Sequence, residues 1–308
     1  MKKIGYFFYT FLPLLVAFGI LFLVSFYAMG MFALFAISPN VPTAIDLTNI
    51  DQIMRMILNN EFQGAMSCAF SLTCITVFGL WNYSRFAWDI RPQFKKNFRL
   101  EIVLGLFLLV PFLQYLCGWI VELIATMFPA ALKSYEELID TSGLGSSSLS
   151  VPMIVYSVLL APIGEELIFR GVTLRAACRV LPFWLANLMQ ALFFGIFHQN
   201  LIQGAYAFFA GFVLGLICEK TGTIYYSMCL HIFFNSWGTV VDERLQQTIM
   251  SIFGMQDASF VASFLILLFL NLVCGVLSLF LLLKGIKRKN QKELIPETHQ
   301  IQENSQSS

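Results

Sequence analysis

The chain has 308 residues, 58% of them hydrophobic and only 12% charged, with a mean hydropathy of +0.74. Soluble domains carry about 25% charged residues, so this composition excludes an ordinary soluble protein and predicts an all-α, polytopic membrane protein. A net charge of +1, with the basic residues beside apolar runs, excludes a nucleic-acid partner. Such residues suit membrane lipid instead, at about 1 kcal/mol each near an anionic surface.

Crossing a hydrocarbon core of about 30 Å takes about 20 apolar residues per helix. That measure predicts eight transmembrane helices, at roughly 6–30, 62–83, 101–129, 151–169, 182–198, 202–219, 223–241 and 259–283. The first run is too long for a removable signal peptide, and a small-residue cleavage site is absent from it. Residues 38–61 carry a Pro-Asn-Val-Pro turn and a weakly amphipathic segment expected on the outer surface. The run from Ser142 to Ser148, rich in Gly and Ser, is expected to be a flexible outer loop. It separates N-terminal membrane helices (1–145, about three spans) from a segment, 146–245, that holds every candidate catalytic group. A last transmembrane helix (246–284) and a basic, then polar, disordered tail (285–308) complete the expected organisation.

With both termini inside, the inner side holds every Lys and Arg except Arg55, Lys133 and Arg244. Arg170, Arg175 and Arg179 count in that scheme as one inner loop. The Phe-rich, Lys-tailed composition points to a bacterial plasma membrane with cytoplasmic termini. The seven cysteines fall mostly within spans and lack CxxC spacing, which predicts packing residues rather than disulfides or zinc ligands. Gly211 and Gly215, four apart in the sixth span with Gly204 and Ala207 on the same side, predict close helix packing.

The chemistry concentrates in three spans. Glu165 and Glu166 lie inside an apolar stretch, with Arg170 four residues after Glu166. His198 ends the run Phe194-Gly195-Ile196-Phe197, and His231 precedes Asn235 by four residues. Ionisable groups at membrane depth are costly and default to function. Residues four apart share a helix face, so Glu166 and Arg170 are placed to pair while Glu165 turns about 100° away. Ala161-Pro162-Ile163-Gly164 just before them predicts a kink or a close backbone approach. His231 and Asn235 form a donor-rich stripe one turn apart. An acid, two imidazoles and an amide on separate spans suit water attack on a carbonyl, with the acid and one histidine as base and the remaining N–H groups stabilising the oxyanion. Intramembrane Glu and His also build proton relays in transporters, but the internal repeat such carriers show is not evident here. A non-catalytic immunity or scaffold protein would use the same polar cavity for binding alone.

In order and spacing, Glu165-Glu166-x-x-x-Arg170, Phe194-x-x-x-His198 and His231-x-x-x-Asn235 resemble the three motifs of the CPBP family (CAAX proteases and bacteriocin-processing proteins, also called Abi). The resemblance covers about residues 150–240. It implies an eight-helix intramembrane endopeptidase whose cavity opens to the cytoplasm and whose substrate is a lipidated protein or a peptide. By motif position, Glu165 with His198 activates water, His231 with Asn235 forms the oxyanion hole, and Glu166 with Arg170 supports the site. Two His and a Glu make an acceptable zinc set, yet the compact H-E-x-x-H pattern is absent and Asn is a poor zinc ligand. The expectation is therefore no metal cofactor, with zinc as the alternative. One geometric demand follows. At ~1.5 Å per residue, His198 stands ~24 Å from Pro182 and His231 ~12 Å from Thr223, so the fifth helix must start below the membrane or tilt for the two to share a depth.

Overall fold

The computed structural model describes residues 2–37, 59–86, 98–141, 149–241, 251 and 265–287. Helices account for nearly all of them, and no strand occurs among the described residues. In chain order these are α1 (Lys2–Tyr9), α2 (Leu12–Ile37), α3 (Asn60–Phe86), α4 (Leu100–Met127), α5 (Pro129–Thr141), α6 (Val151–Ala177, with π-helical turns), α7 (Phe183–Phe197), α8 (Leu201–Thr221), α9 (Ile224–Ser236) and α10 (Leu265–Lys287). A π turn, Trp237–Val241, continues α9.

Six stretches are long and apolar enough to cross a membrane: Ile4–Met31, Asn60–Arg85, Leu100–Met127, Val151–Ala177, Leu201–Thr221 and Leu265–Lys287. The expected fifth and seventh spans are helices of 15 and 13 residues. At ~1.5 Å per residue they reach only ~22 and ~20 Å, short of a full bilayer core. The fourth helix exceeds its expected extent by two turns. Arg170 was counted as the start of an inner loop, but it lies fully buried inside α6, paired with Glu166, so the helix runs on past it. The outer loop expected to hold Lys133 contains α5, whose apolar Leu132, Tyr135, Leu138 and Ile139 recur at helical spacing. The disordered tail was expected from 285, but α10 continues to Lys287. Most of the expected outer segment at 38–61, the loop at 142–148 and the tail beyond 287 lie outside the described residues.

Contacts divide the chain into two compact units: residues 1–89 with 117–216, and residues 90–116 with 217–308. In the first, Phe78, Met153, Ile168, Phe169 and Ile202 form the buried apolar centre; in the second, Ile102, Leu106, Val110, Leu230 and Leu282 do. Helix starts follow side-chain caps. Asn59 Oδ1 accepts from the Glu61 and Phe62 N–H groups, Ser150 Oγ from Met153 N–H, and Asn200 Oδ1 from Ile202 and Gln203 N–H. The Thr223 hydroxyl accepts from Tyr225 N–H at the start of α9. No disulfide joins any of the seven cysteines.

Candidate functional site

Local sequence shapes α6 before any side chain reaches its partner. Pro162 has no N–H, and its ring crowds the carbonyl one turn back. The chain answers with a wider turn over Tyr156–Leu160, where the Ala161 N–H reaches back to the Tyr156 carbonyl. A second π stretch, Leu167–Leu174, begins six residues further on, and the Thr173 hydroxyl donates to the Ile168 carbonyl at 2.9 Å across it. Single π turns inside α-helices are frequent at functional sites. Here two of them flank the six-residue segment that ends in Glu165-Glu166. The Ala-Pro-Ile-Gly stretch thus yields a change of helix type. At Gly164 an added Cβ would meet Cys74, Ile75 and Ser71 only at ordinary contact distance.

The two acids are treated differently. Glu166 Oε1 accepts from Arg170 Nη1 at 2.8 Å, and neither side chain has any exposed surface. Glu165 is half-buried. Its carboxyl lies within electrostatic reach of the Tyr156 and Tyr206 hydroxyls and the Cys74 thiol. Tyr206 in turn lies within electrostatic reach of Tyr135 of α5.

Arg170 is held on three sides. Its Nη2 donates to the Gly211 carbonyl on α8 at 2.9 Å, and its guanidinium carbon sits 4.6 Å from the centre of the Phe194 ring on α7. Phe194 leads to His198. The His198 ring closes α7 as its C-cap, with Nδ1 2.8 Å from the Phe194 carbonyl. A carbonyl only accepts, so Nδ1 is the donor in this bond, and in the neutral ring Nε2 would carry the lone pair. Gln199 follows in the left-handed region (φ 55°), and Asn200 starts α8. The near-continuous fifth and sixth spans are separated by this three-residue reversal.

His231 and Asn235 lie in the second unit, one turn apart on α9; His231 is buried and Asn235 half-buried. Gln114 of α4 donates to the Phe234 carbonyl at 2.8 Å, next to Asn235 and just before the π turn. The first unit therefore holds Glu165, Glu166, Arg170 and His198, and the second holds His231 and Asn235. Among the described residues no three His, Cys, Asp or Glu side chains gather as a metal-holding group.

Residues 147–237 match the family model for type II CAAX prenyl endopeptidases, Rce1-like. The match encloses all seven motif residues and supports the CAAX-protease (CPBP) resemblance that those motifs carry. With several helices able to span a bilayer, the chain is a multi-pass membrane protein. No curated protein and no solved structure matches the chain.

The sequence reading passed over Asn187 and Gln190, both fully buried on α7. Gln190 Nε2 donates to the Asn187 Oδ1 (2.7 Å) and to the Gly211 carbonyl (3.0 Å), and Asn187 Nδ2 donates to the Phe212 carbonyl (3.0 Å). A signal was present. In α7 Leu185, Leu188, Leu192 and Ile196 form an exposed stripe, with Trp184 exposed in the first turn, and the two amides fall on the face opposite that stripe. Polar residues on the inward face of a membrane helix bond between helices.

Proposed function

We propose that the chain is an intramembrane endopeptidase that hydrolyses a peptide bond in a membrane-associated or lipidated protein or peptide. The observation that carries this reading is the contrast between two adjacent acids. Glu166 is committed to Arg170 in a closed, fully buried pair, while Glu165 keeps solvent access beside phenol hydroxyls. The Rce1-like match over the same segment supports the reaction class.

In this mechanism Glu165 and the Nε2 lone pair of His198 hold one water. Glu165 takes a proton as the water oxygen attacks the scissile carbonyl carbon. The carbonyl oxygen becomes an oxyanion, stabilised by N–H groups of His231 and Asn235. As the C–N bond breaks, the proton passes from Glu165 to the leaving amine, and the carboxyl product and free amine separate. Glu166 and Arg170 fix the backbone on which Glu165 stands. The water activation so drawn needs no metal. We place the chain in a bacterial plasma membrane with eight crossings and both termini cytoplasmic, α7 and the α9–π segment forming the two short ones.

The test is incubation of the purified full-length protein with a library of lipidated and unlipidated peptides, with and without a chelator, read by mass spectrometry. Cleavage that survives the chelator and disappears in Glu165→Gln is the expected result. Intact peptides with the wild type, or cleavage undiminished in Glu165→Gln, would overturn the reading. Peptide that is shielded from added protease equally by the wild type and Glu165→Gln would mark a binding protein instead.

A further inference from the structure

The glycine pair on α8 does more than let two helices approach. A Cβ on Gly211 would lie 2.8 Å from Phe194 Cδ1 and 3.2 Å from Arg170 Nη2. A Cβ on Gly215 would lie 1.8 Å from Asn187 Oδ1 and 2.8 Å from Gln190 Nε2. The space left by the two missing side chains is thus filled by the Phe194 ring and by polar atoms of Arg170 on α6 and of Asn187 and Gln190 on α7. The Gly211 carbonyl is the shared point, accepting from Arg170 Nη2 and from Gln190 Nε2 at nearly equal distances of 2.9 and 3.0 Å. A carbonyl has two lone pairs, so both donors are accommodated beside each other.

We propose that Asn187 and Gln190 are positioning residues for the reaction: by anchoring α7 to Gly211 and Phe212 of α8, they set the register between α7, which carries His198, and α6, which carries Glu165. This inference rests on the endopeptidase reading. The connections are physical ones. Gln190, Phe194 and His198 are spaced by four along α7, and they make, respectively, the bond to Gly211, the ring contact under Arg170 and the proposed base. On α6, Arg170 is joined to Glu166, whose neighbour is Glu165. Each helix therefore carries one proposed proton acceptor and one anchor to the same α8 carbonyl. An apolar residue at 187 or 190 keeps the bulk but removes the anchor, so α7 is free to slide or rotate against α6. Catalysis is sensitive to such movement, since a misplacement of about 1 Å costs on the order of a hundredfold in rate.

The experiment uses the full-length protein with Gln190→Met and Asn187→Leu, which preserve volume, and reads two quantities. The first is steady-state cleavage of a peptide that the wild type cuts. A kcat lowered tenfold or more, with KM within twofold and unchanged thermal unfolding, supports the proposal. An unchanged kcat in both variants overturns it while leaving the endopeptidase reading intact. The second is the ring 15N spectrum of the protein labelled at its three histidines, with His198 assigned from the spectrum of His198→Asn. A displaced or broadened His198 signal in Gln190→Met supports the proposal, and an unmoved one overturns it. If the wild type cuts no peptide, the endopeptidase reading fails, and the 15N spectrum still decides whether the two amides hold His198 in place. Should either variant fail to fold, the milder Asn187→Ser is measured in the same two ways.

Discussion

Glu166 Oε1 and Arg170 Nη1 lie 2.8 Å apart, one helical turn from each other, with both side chains fully enclosed. Removing one member of a buried pair leaves an uncompensated charge and costs about 3–5 kcal/mol. Arg170→Met is therefore expected to lower the thermal midpoint sharply and to reduce the yield of folded protein. Glu166→Gln combined with Arg170→Met should recover much of that loss, because no unpaired charge remains. Thermal unfolding in detergent, followed by circular dichroism, checks both; a double variant no more stable than Arg170→Met would contradict the pairing.

Much of this site was legible because membrane burial makes polar residues conspicuous. Glu165, Arg170, His198 and His231 stood out against apolar runs, and four-residue spacing identified the partner of Glu166. Two features were hidden. Arg170 read as a cytoplasmic boundary residue, since an Arg in an apolar run suggests the membrane edge unless its counter-ion, the Gly211 carbonyl and the Phe194 ring are already known. Gly211 and Gly215 read as a packing stripe, and that packing is present; what the spacing did not reveal is that the neighbours filling the space are Asn187, Gln190 and Arg170. Neutral amides carry no charge signal, so Asn187 and Gln190 became visible only as the inward face of α7.

The roles given to the motif residues separate by kinetics. Glu165→Gln and His198→Ala are expected to lower kcat by about 10²–10⁴, the usual worth of general acid–base catalysis. Asn235→Ala should cost about 10²–10³, as for loss of one oxyanion donor. None of the three should move the unfolding midpoint as Arg170→Met does, because none removes a partner from the Glu166–Arg170 pair. Single-turnover cleavage rates, measured beside unfolding curves, test the separation. Equal loss of fold and activity at Glu165 would return it to a structural role.

Two glycine substitutions, one beside the acids and one on α8, should differ in kind. At Gly215 an added Cβ would fall 1.8 Å from Asn187 Oδ1, whereas at Gly164 the nearest atoms are 3.7 Å away. Gly215→Ala must push the amide out of its bond to Phe212, leaving buried polar groups unpaired at about 1–3 kcal/mol each. Gly164→Ala meets only normal contacts and gains helix propensity of up to about 1 kcal/mol. Opposite shifts of the unfolding midpoint are expected, and a tolerated Gly215→Ala would contradict the fit of Asn187 beneath α8.

The turn after His198 allows a stabilising change. Gln199 adopts φ 55°, where a side chain costs about 1–2 kcal/mol and glycine does not. Gln199→Gly should therefore raise stability slightly, offset in part by the greater freedom of glycine in the unfolded chain. Asn200→Ala, which removes the cap on α8, should cost about 1 kcal/mol. Because the His198 ring bonds back into α7, kcat in Gln199→Gly should stay within a factor of two.

Orientation in the membrane has a handle in Cys178. It follows the end of α6 and is exposed, whereas Cys74, Cys117 and Cys218 are buried and Cys68, Cys229 and Cys274 are half-buried within helices. Maleimide addition needs a thiolate and therefore water, so a membrane-impermeant maleimide should label Cys178 alone. With both termini cytoplasmic, labelling is expected in inside-out vesicles, absent from right-side-out vesicles, and abolished by Cys178→Ser. Arg175 and Arg179 are the two basic residues of this stretch that remain beyond the buried Arg170, and on that topology they would share the cytoplasmic side with Cys178. Labelling from the outer side would reverse the proposed topology and put this end of α6 on the face opposite the cytoplasm.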